Sequence, residues 1–235
     1  MLQKTLLSLL WVCILHTVCN YVRMILSTIA SGDLRHVIRT TNALPSDFSG
    51  KLSFLINDIS TPTVCRNVIL LLILGTVPDK SLAADIALHF WCSVFWPIEY
   101  LMQTMLALIS WLECLRENEI GQTYPLGPGS TISTCIPADA FACFKHFISS
   151  STSTDDAQAE YDRVRTIPSR KDYRERMYAN LRPSHRVAFQ KYRRSGIILP
   201  FGANITHFNA TNLSLFSFDG SWLQTDFADP LQGWE

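Results

Sequence analysis

Apolar positions along this chain change from unbroken short runs to helical spacing, and each change marks an element. Met24-Ile-Leu-Ser-Thr-Ile-Ala30 is a short apolar run that reads as a buried strand. It passes through Ser31-Gly32-Asp33 into Leu34, Val37 and Ile38, which recur with helical spacing. Pro45, Ser46, Asp47, Ser49 and Gly50 make a return loop. Lys51–Ile56 then reads as a second strand, ending at Asn57-Asp58. Thr61 and Pro62 open a helix predicted to run through Leu74, with Gly75 as its stop. Val68 to Leu74 is apolar all round, so this helix is expected to be buried on several sides. Strand, glycine turn, helix and strand again predict an α/β domain with a parallel sheet.

Further along, the pattern is mostly helical. Ser81 to Asn118 predicts a pair of core helices, with Leu82, Ile86, Phe90 and Val94 on one face and a break before Pro97. Residues 86–112 are apolar enough to raise the question of a membrane span, but Asp85, His89 and Glu99 argue against one. Gly121 to Thr134, rich in Gly, Pro, Ser and Thr, is predicted to be a loop. Pro137 leads into a helix over Ala138–Ile148, and Thr154 is the expected N-cap of a helix through Arg165. Lys171–Leu181 and Pro183–Ser195 follow as helices, the second closed by Gly196. Short apolar stretches separated by turns then follow: Ile197–Leu199, the Phe201 region and Leu213–Phe218, before Asp219-Gly220.

This pattern divides the chain into an apolar leader (1–23), an α/β core (24–120), a loop and helical region (121–196) and an acidic C-terminal segment (197–235). The leader sets Lys4 before the apolar run Leu6–Leu15, with small residues near Cys19, in the manner of a secretory signal peptide or a short anchor. Three N-x-[ST] sequons, at Asn204, Asn209 and Asn212, make a secreted or membrane-anchored glycoprotein a rival to a cytoplasmic protein. Composition narrows the choice only a little. Apolar residues make up 48% of the chain, which excludes a mostly disordered protein. Twenty basic and twenty acidic residues cancel, although Asp155 to Ser195 holds eleven basic residues against six acidic ones. Tyr173, Tyr178, Phe189 and Tyr192 are interleaved there, a pattern that suits RNA and equally suits amphipathic helices with solvated basic faces. With zero net charge, the second reading is preferred and no nucleic acid is expected.

Candidate chemistry is sparse. The seven cysteines include no C-x-x-C pair, so no zinc site is expected, and they read as buried, reduced thiols acting as small hydrophobes. The histidines are scattered, and no Ser/His/Asp arrangement is read from local spacing. The most suggestive place is the end of the first strand. Gly32 would let backbone approach a ligand, and Asp58 stands one βα unit later, where such folds set an acid on a ribose hydroxyl. Ser31, Gly32, Asp33, Asn57 and Asp58 are therefore the candidate cofactor-binding residues, for a nucleotide or S-adenosylmethionine. A structural reading fits them as well: Gly32 as a tight turn and Asp58 as a helix cap.

Ser31-Gly-Asp-Leu-Arg-His36, Leu55-Ile-Asn-Asp58, Arg66-Asn67 with the leucine run after it, and Leu88-His-Phe-Trp91 together resemble the fungal domain of unknown function 4470. That domain is related to the amino-terminal half of axonemal dynein assembly factor 3. Leu126-Gly-Pro-Gly-Ser130, Arg182-Pro-Ser-His-Arg-Val187, Ile198-Leu-Pro-Phe-Gly202 and Asp229-Pro-Leu-Gln-Gly-Trp234 resemble the downstream region of longer fungal relatives. The resemblance implies a partial Rossmann-like, methyltransferase-like parallel sheet with a large helical complement. It also implies a core without the glycine-rich signature of active enzymes. Some relatives carry a MYND-type zinc finger, which the cysteine spacing here does not provide. Longer relatives continue past Trp234-Glu235, so a shortened domain with an open sheet edge is expected.

Taken together, the sequence predicts a non-catalytic, cytoplasmic α/β interaction or assembly protein with a protein partner and no cofactor. An S-adenosylmethionine-dependent methyltransferase and an exported glycoprotein are the alternatives.

Overall fold

Seven-residue strands at Arg23–Ile29 and Lys51–Asn57 frame the first βαβ unit, much as the apolar runs require. The computed structural model describes residues 11–13, 23–29, 32, 34–117, 123–135, 138–200 and 202–223. In chain order the first elements are β1 (Trp11–Cys13), β2 (Arg23–Ile29), α1 (Arg35–Asn42), β3 (Lys51–Asn57), α2 (Thr61–Thr76) and α3 (Lys80–Cys92). Next come β4 (Phe95–Trp96), α4 (Ile98–Glu117), β5 (Thr123–Pro125), β6 (Thr131–Cys135) and α5 (Ala138–Ser149). The last are α6 (Thr154–Arg165), α7 (Lys171–Asn180), α8 (Pro183–Ser195) and β7 (Ala210–Thr211), with single 3₁₀ turns at Pro168–Arg170 and Leu213–Leu215. Leader residues 1–10 and 14–22, as well as residues 224–235, lie outside the described residues.

The chain forms two units, each assembled from two stretches of sequence. The first is Met1–Ala83 with Thr104–Ile148, and the second is Ala84–Gln103 with Ser149–Glu235. A five-stranded sheet in the order β2-β3-β1-β6-β5 organises the first unit. β2 and β3 are parallel, with Arg23 opposite Lys51 and Ile29 opposite Asn57. The pairings β1–β3, β1–β6 and β5–β6 are antiparallel. The sheet is therefore mixed, which corrects the expectation of a parallel sheet. The antiparallel members are three to five residues long. Strands that short carry no readable alternation, and two of them lie in the stretch expected to be a loop.

α2 is buried as its all-round apolar character requires: Val64, Val68, Leu72 and Ile73 are fully enclosed. Ser60 caps it, with its hydroxyl accepting from Thr63 N at 3.4 Å and from Thr63 Oγ1 at 2.9 Å. Gly75 does not stop this helix, which continues to Thr76. A Cβ at Gly75 would lie 2.8 Å from Leu126 Cβ, so the missing side chain makes room for the β5–β6 loop. Trp111 of α4 meets Phe144 of α5 edge-on at 5.5 Å, closing the core of this unit. α4 is not the core helix expected throughout. Thr104, Leu108, Trp111 and Leu112 are buried, while Ile98, Met102 and Leu106 are 44%, 52% and 61% exposed.

In the second unit, Val94, Phe95, Ala157, Tyr161, Val164, Ile197, Leu215, Phe216 and Trp222 form one apolar cluster. Ser153, one residue before the expected cap, starts α6. Its Oγ accepts from Asp156 N at 3.0 Å and donates to the Asp156 carboxylate at 2.6 Å. α6 and α8 fasten one another through arginines. Arg165 Nη1 donates to Arg193 O at 2.9 Å, and Arg193 donates in return to Arg165 O. Each cation thus supplies donors to carbonyls that a helix C-terminus leaves unpaired. Gly196 ends α8 at φ +67, and a Cβ there would lie 2.7 Å from Val94 Cγ2. Val94 N donates to Gly196 O at 2.7 Å, and Asn212 N donates to Val94 O at 2.8 Å beside the antiparallel pair β4–β7.

Candidate functional site

The parallel pair β2–β3 delivers its carboxyl ends together, and the structure joins two of the predicted residues there. Gly32 N donates to Asp58 Oδ2 at 2.8 Å, and Ser60 N donates to Asp58 Oδ1 at 2.9 Å. Asn67, on α2 and 1% exposed, donates from Nδ2 to Gly32 O at 3.2 Å. Gly32 has φ +55 and open space around the position of a Cβ, so backbone conformation is what favours glycine there. Ser31 and Asp33 lie outside the described residues. Asn57 ends β3, and its Oδ1 is buried with no hydrogen-bond partner among the described residues, as is Asn67 Oδ1.

Asp58 therefore binds backbone with both oxygens. One oxygen caps the turn into α2 and the other holds the turn after β2. A carboxylate has about four lone-pair directions, so a further donor could be accepted, but the group is already oriented by protein.

A second constellation escaped the sequence reading. Asp85, His89 and Ser93 follow one another at i, i+4 and i+8 along α3 and the residue after it, so a Ser/His/Asp spacing was present after all. His89 Nδ1 lies 2.9 Å from Ser93 Oγ, and Nε2 lies 3.7 Å from Asp85 Oδ1. Tyr100 donates its hydroxyl to Asp85; burial first, and then that bond, push the phenol up to about 12. Burial pulls His89 below the ordinary histidine range, against the opposing pull of Asp85. Ser93 is fully enclosed, and its Oγ accepts from Ile198 N at 3.2 Å. A hydroxyl sealed in this way is not presented to a substrate. His89 and Ser93 work as a buried polar knot with Asp85 exposed at its edge, and the Asp85–His89 gap is too long for a hydrogen bond.

Asn212 completes that knot. Its Nδ2 donates to Phe90 O at 2.7 Å and Ser93 O at 2.9 Å, with His89 O at 3.4 Å, and so caps the end of α3. Its Oδ1 accepts from Ser214 Oγ at 2.7 Å. Asn212 is fully buried, whereas the other two sequon asparagines, Asn204 and Asn209, are exposed.

The basic stretch forms a cavity of about 320 Å³ lined by Arg165, Tyr178, Phe189, Arg193 and Arg194, with Glu175 at its side. Two of its three arginines are already engaged by α6 and α8, and Arg165 also pairs with Asp162 at 2.6 Å. Cys65, Cys92, Cys114 and Cys143 are thiols outside any disulfide; Cys65 and Cys92 are buried, Cys143 is half-buried and Cys114 is exposed. Among the described residues no three His, Cys, Asp or Glu side chains gather to hold a metal ion.

Residues 14–96 match the family described as Domain of unknown function (DUF4470), a span that includes β2, β3 and α2 with Gly32, Asp58 and Asn67. Comparison with curated proteins finds no match, and comparison with solved structures finds none.

Proposed function

We propose that this chain is a non-catalytic, intracellular α/β interaction or assembly protein whose core is a degenerate relative of the Rossmann-like nucleotide fold. One observation carries the reading. The acid that a ligand-binding member would turn toward a ribose is spent here on two backbone N–H groups, Gly32 and Ser60. The exposed side chains Ile98, Met102 and Leu106, spaced by four along α4, support a protein partner over a purely self-contained fold. Ile98–Leu115 is also long and apolar enough, by length and composition, to cross a membrane. Its buried face (Thr104, Leu108, Trp111 and Leu112) favours the protein partner.

A second reading, an S-adenosylmethionine-dependent methyltransferase, draws on Asn57 Oδ1 and Asn67 Oδ1, which are buried without partners among the described residues. Calorimetry on the folded full chain with S-adenosylmethionine and its demethylated product separates the two. No heat at millimolar ligand is expected. Saturable binding that disappears in a folded Asp58→Ala variant would overturn the non-catalytic reading and favour the enzyme.

A further inference from the structure

We propose that Cys65 and Cys143 form a redox dithiol that a hydroperoxide closes into a disulfide joining α2 to α5. The two helices are registered by their first turns, where Thr61 Oγ1 of α2 donates to Asp139 Oδ2 of α5 at 2.6 Å. Residues four further along each helix return to the same face. Those residues are Cys65 and Cys143. Cys65 Sγ lies 3.7 Å from Ala140 O, one residue beyond Asp139, on the turn of α5 that leads to Cys143.

The pair is unequal, which assigns the roles. Cys65 is 2% exposed, and the Cys143 hydrogen bond and burial both raise its pKa, so it keeps its proton. Cys143 is half-buried and reachable. The hydrogen bond from Cys65, helped by the nearby Arg66 cation, lowers its pKa despite burial and Asp139.

Cys143 thiolate attacks one oxygen of the hydroperoxide. The O–O bond breaks, and the departing oxygen leaves as hydroxide or alkoxide and takes up a proton, while Cys143 becomes a sulfenic acid. Cys65 sulfur then attacks the sulfenyl sulfur, so an S–S bond forms and the S–OH bond breaks. The released hydroxide combines with the Cys65 proton as water. Two thiols lose two electrons and two protons; hydrogen peroxide is reduced to two waters.

The test titrates the reduced full chain with hydrogen peroxide, blocks remaining thiols under denaturing conditions and maps peptides by mass. Expected is a loss of about 2 Da, the two thiol hydrogens, in a peptide pair linking Cys65 to Cys143 and restored by dithiothreitol. Cys143 is expected to be consumed about tenfold faster than the exposed Cys114. In Cys143→Ser the link disappears; in Cys65→Ser the sulfenic acid on Cys143 persists and is trapped by dimedone. Because Cys65→Ser places a hydroxyl in a buried site, the map of the unaltered chain decides by itself. Cys114 reacting first, or Cys65 still alkylatable after Cys143 is consumed, would overturn the proposal.

Discussion

Each unit fixes a critical turn with one short polar side chain, and the two choices differ in an instructive way. In the first unit Asp58, half-exposed, gathers the backbone N–H groups of Gly32 and Ser60. In the second, fully buried Asn212 gathers the carbonyls of Phe90 and Ser93 and the hydroxyl of Ser214. The chemistry follows from what has to be satisfied. N–H groups in the turn after β2 and in the turn into α2 call for an acceptor, and a partly hydrated charge can serve. Carbonyls at the end of α3 call for a donor, and in a dry core a neutral amide avoids the cost of a buried charge. Only the first arrangement is placed where a ligand could compete for it.

Replacing Asn212 should produce the largest change. Asn212→Ala leaves several buried groups unpaired and is expected to cost about 3 kcal/mol, read from the urea midpoint. A loss below about 1 kcal/mol would show that the buried knot is no stronger than the exposed one. Asp58→Ala should cost about 1–2 kcal/mol, with Asp58→Asn in between because it keeps one acceptor oxygen. Equal losses for Asp58→Ala and Asn212→Ala would break the contrast drawn from burial.

The smallest effect concerns His89. Burial holds its folded pKa below the ordinary 6.5, so near that pH the unfolded chain binds a proton that the folded chain resists. Stability is therefore full above that pH and falls as pH drops through it toward the lower folded value. Thermal midpoints between about pH 7.5 and 5.5 should decline by less in His89→Gln than in the unaltered chain. Parallel declines would remove His89 from the account.

Much of the helical framework was legible because its punctuation is local. Pro97 separates α3 from α4, and Pro183 and Gly196 bracket α8. The Gly32–Asp58 pairing was legible too, since parallel neighbours bring successive strand ends together. The short antiparallel strands were not, because Val12 finds Ile56 and Thr134 only through tertiary pairing. Asn212 read as a sequon, and nothing local distinguishes an acceptor asparagine from one that caps a distant helix. The Asp85, His89, Ser93 spacing was there to be read; the burial of His89 and Ser93, which decides its chemistry, was not. The meeting of Cys65 with Cys143 depends on how α2 lies along α5, which no spacing along the chain encodes.

Because each unit takes its residues from two separated stretches, synthesis and folding cannot proceed in simple step. β3 can pair with β2 early, but β6 must emerge before β1 has partners on both sides. Phe95–Trp96 must wait longer still for Ala210–Thr211. Contacts of such wide sequence separation slow folding and prolong exposure of unfinished edges. A fragment cut at the matched span of residues 14–96 would leave β4 without its strand partner and β3 without β1. The smallest piece worth purifying is therefore set by the return of the chain to each unit, well beyond the limits of the recognisable domain.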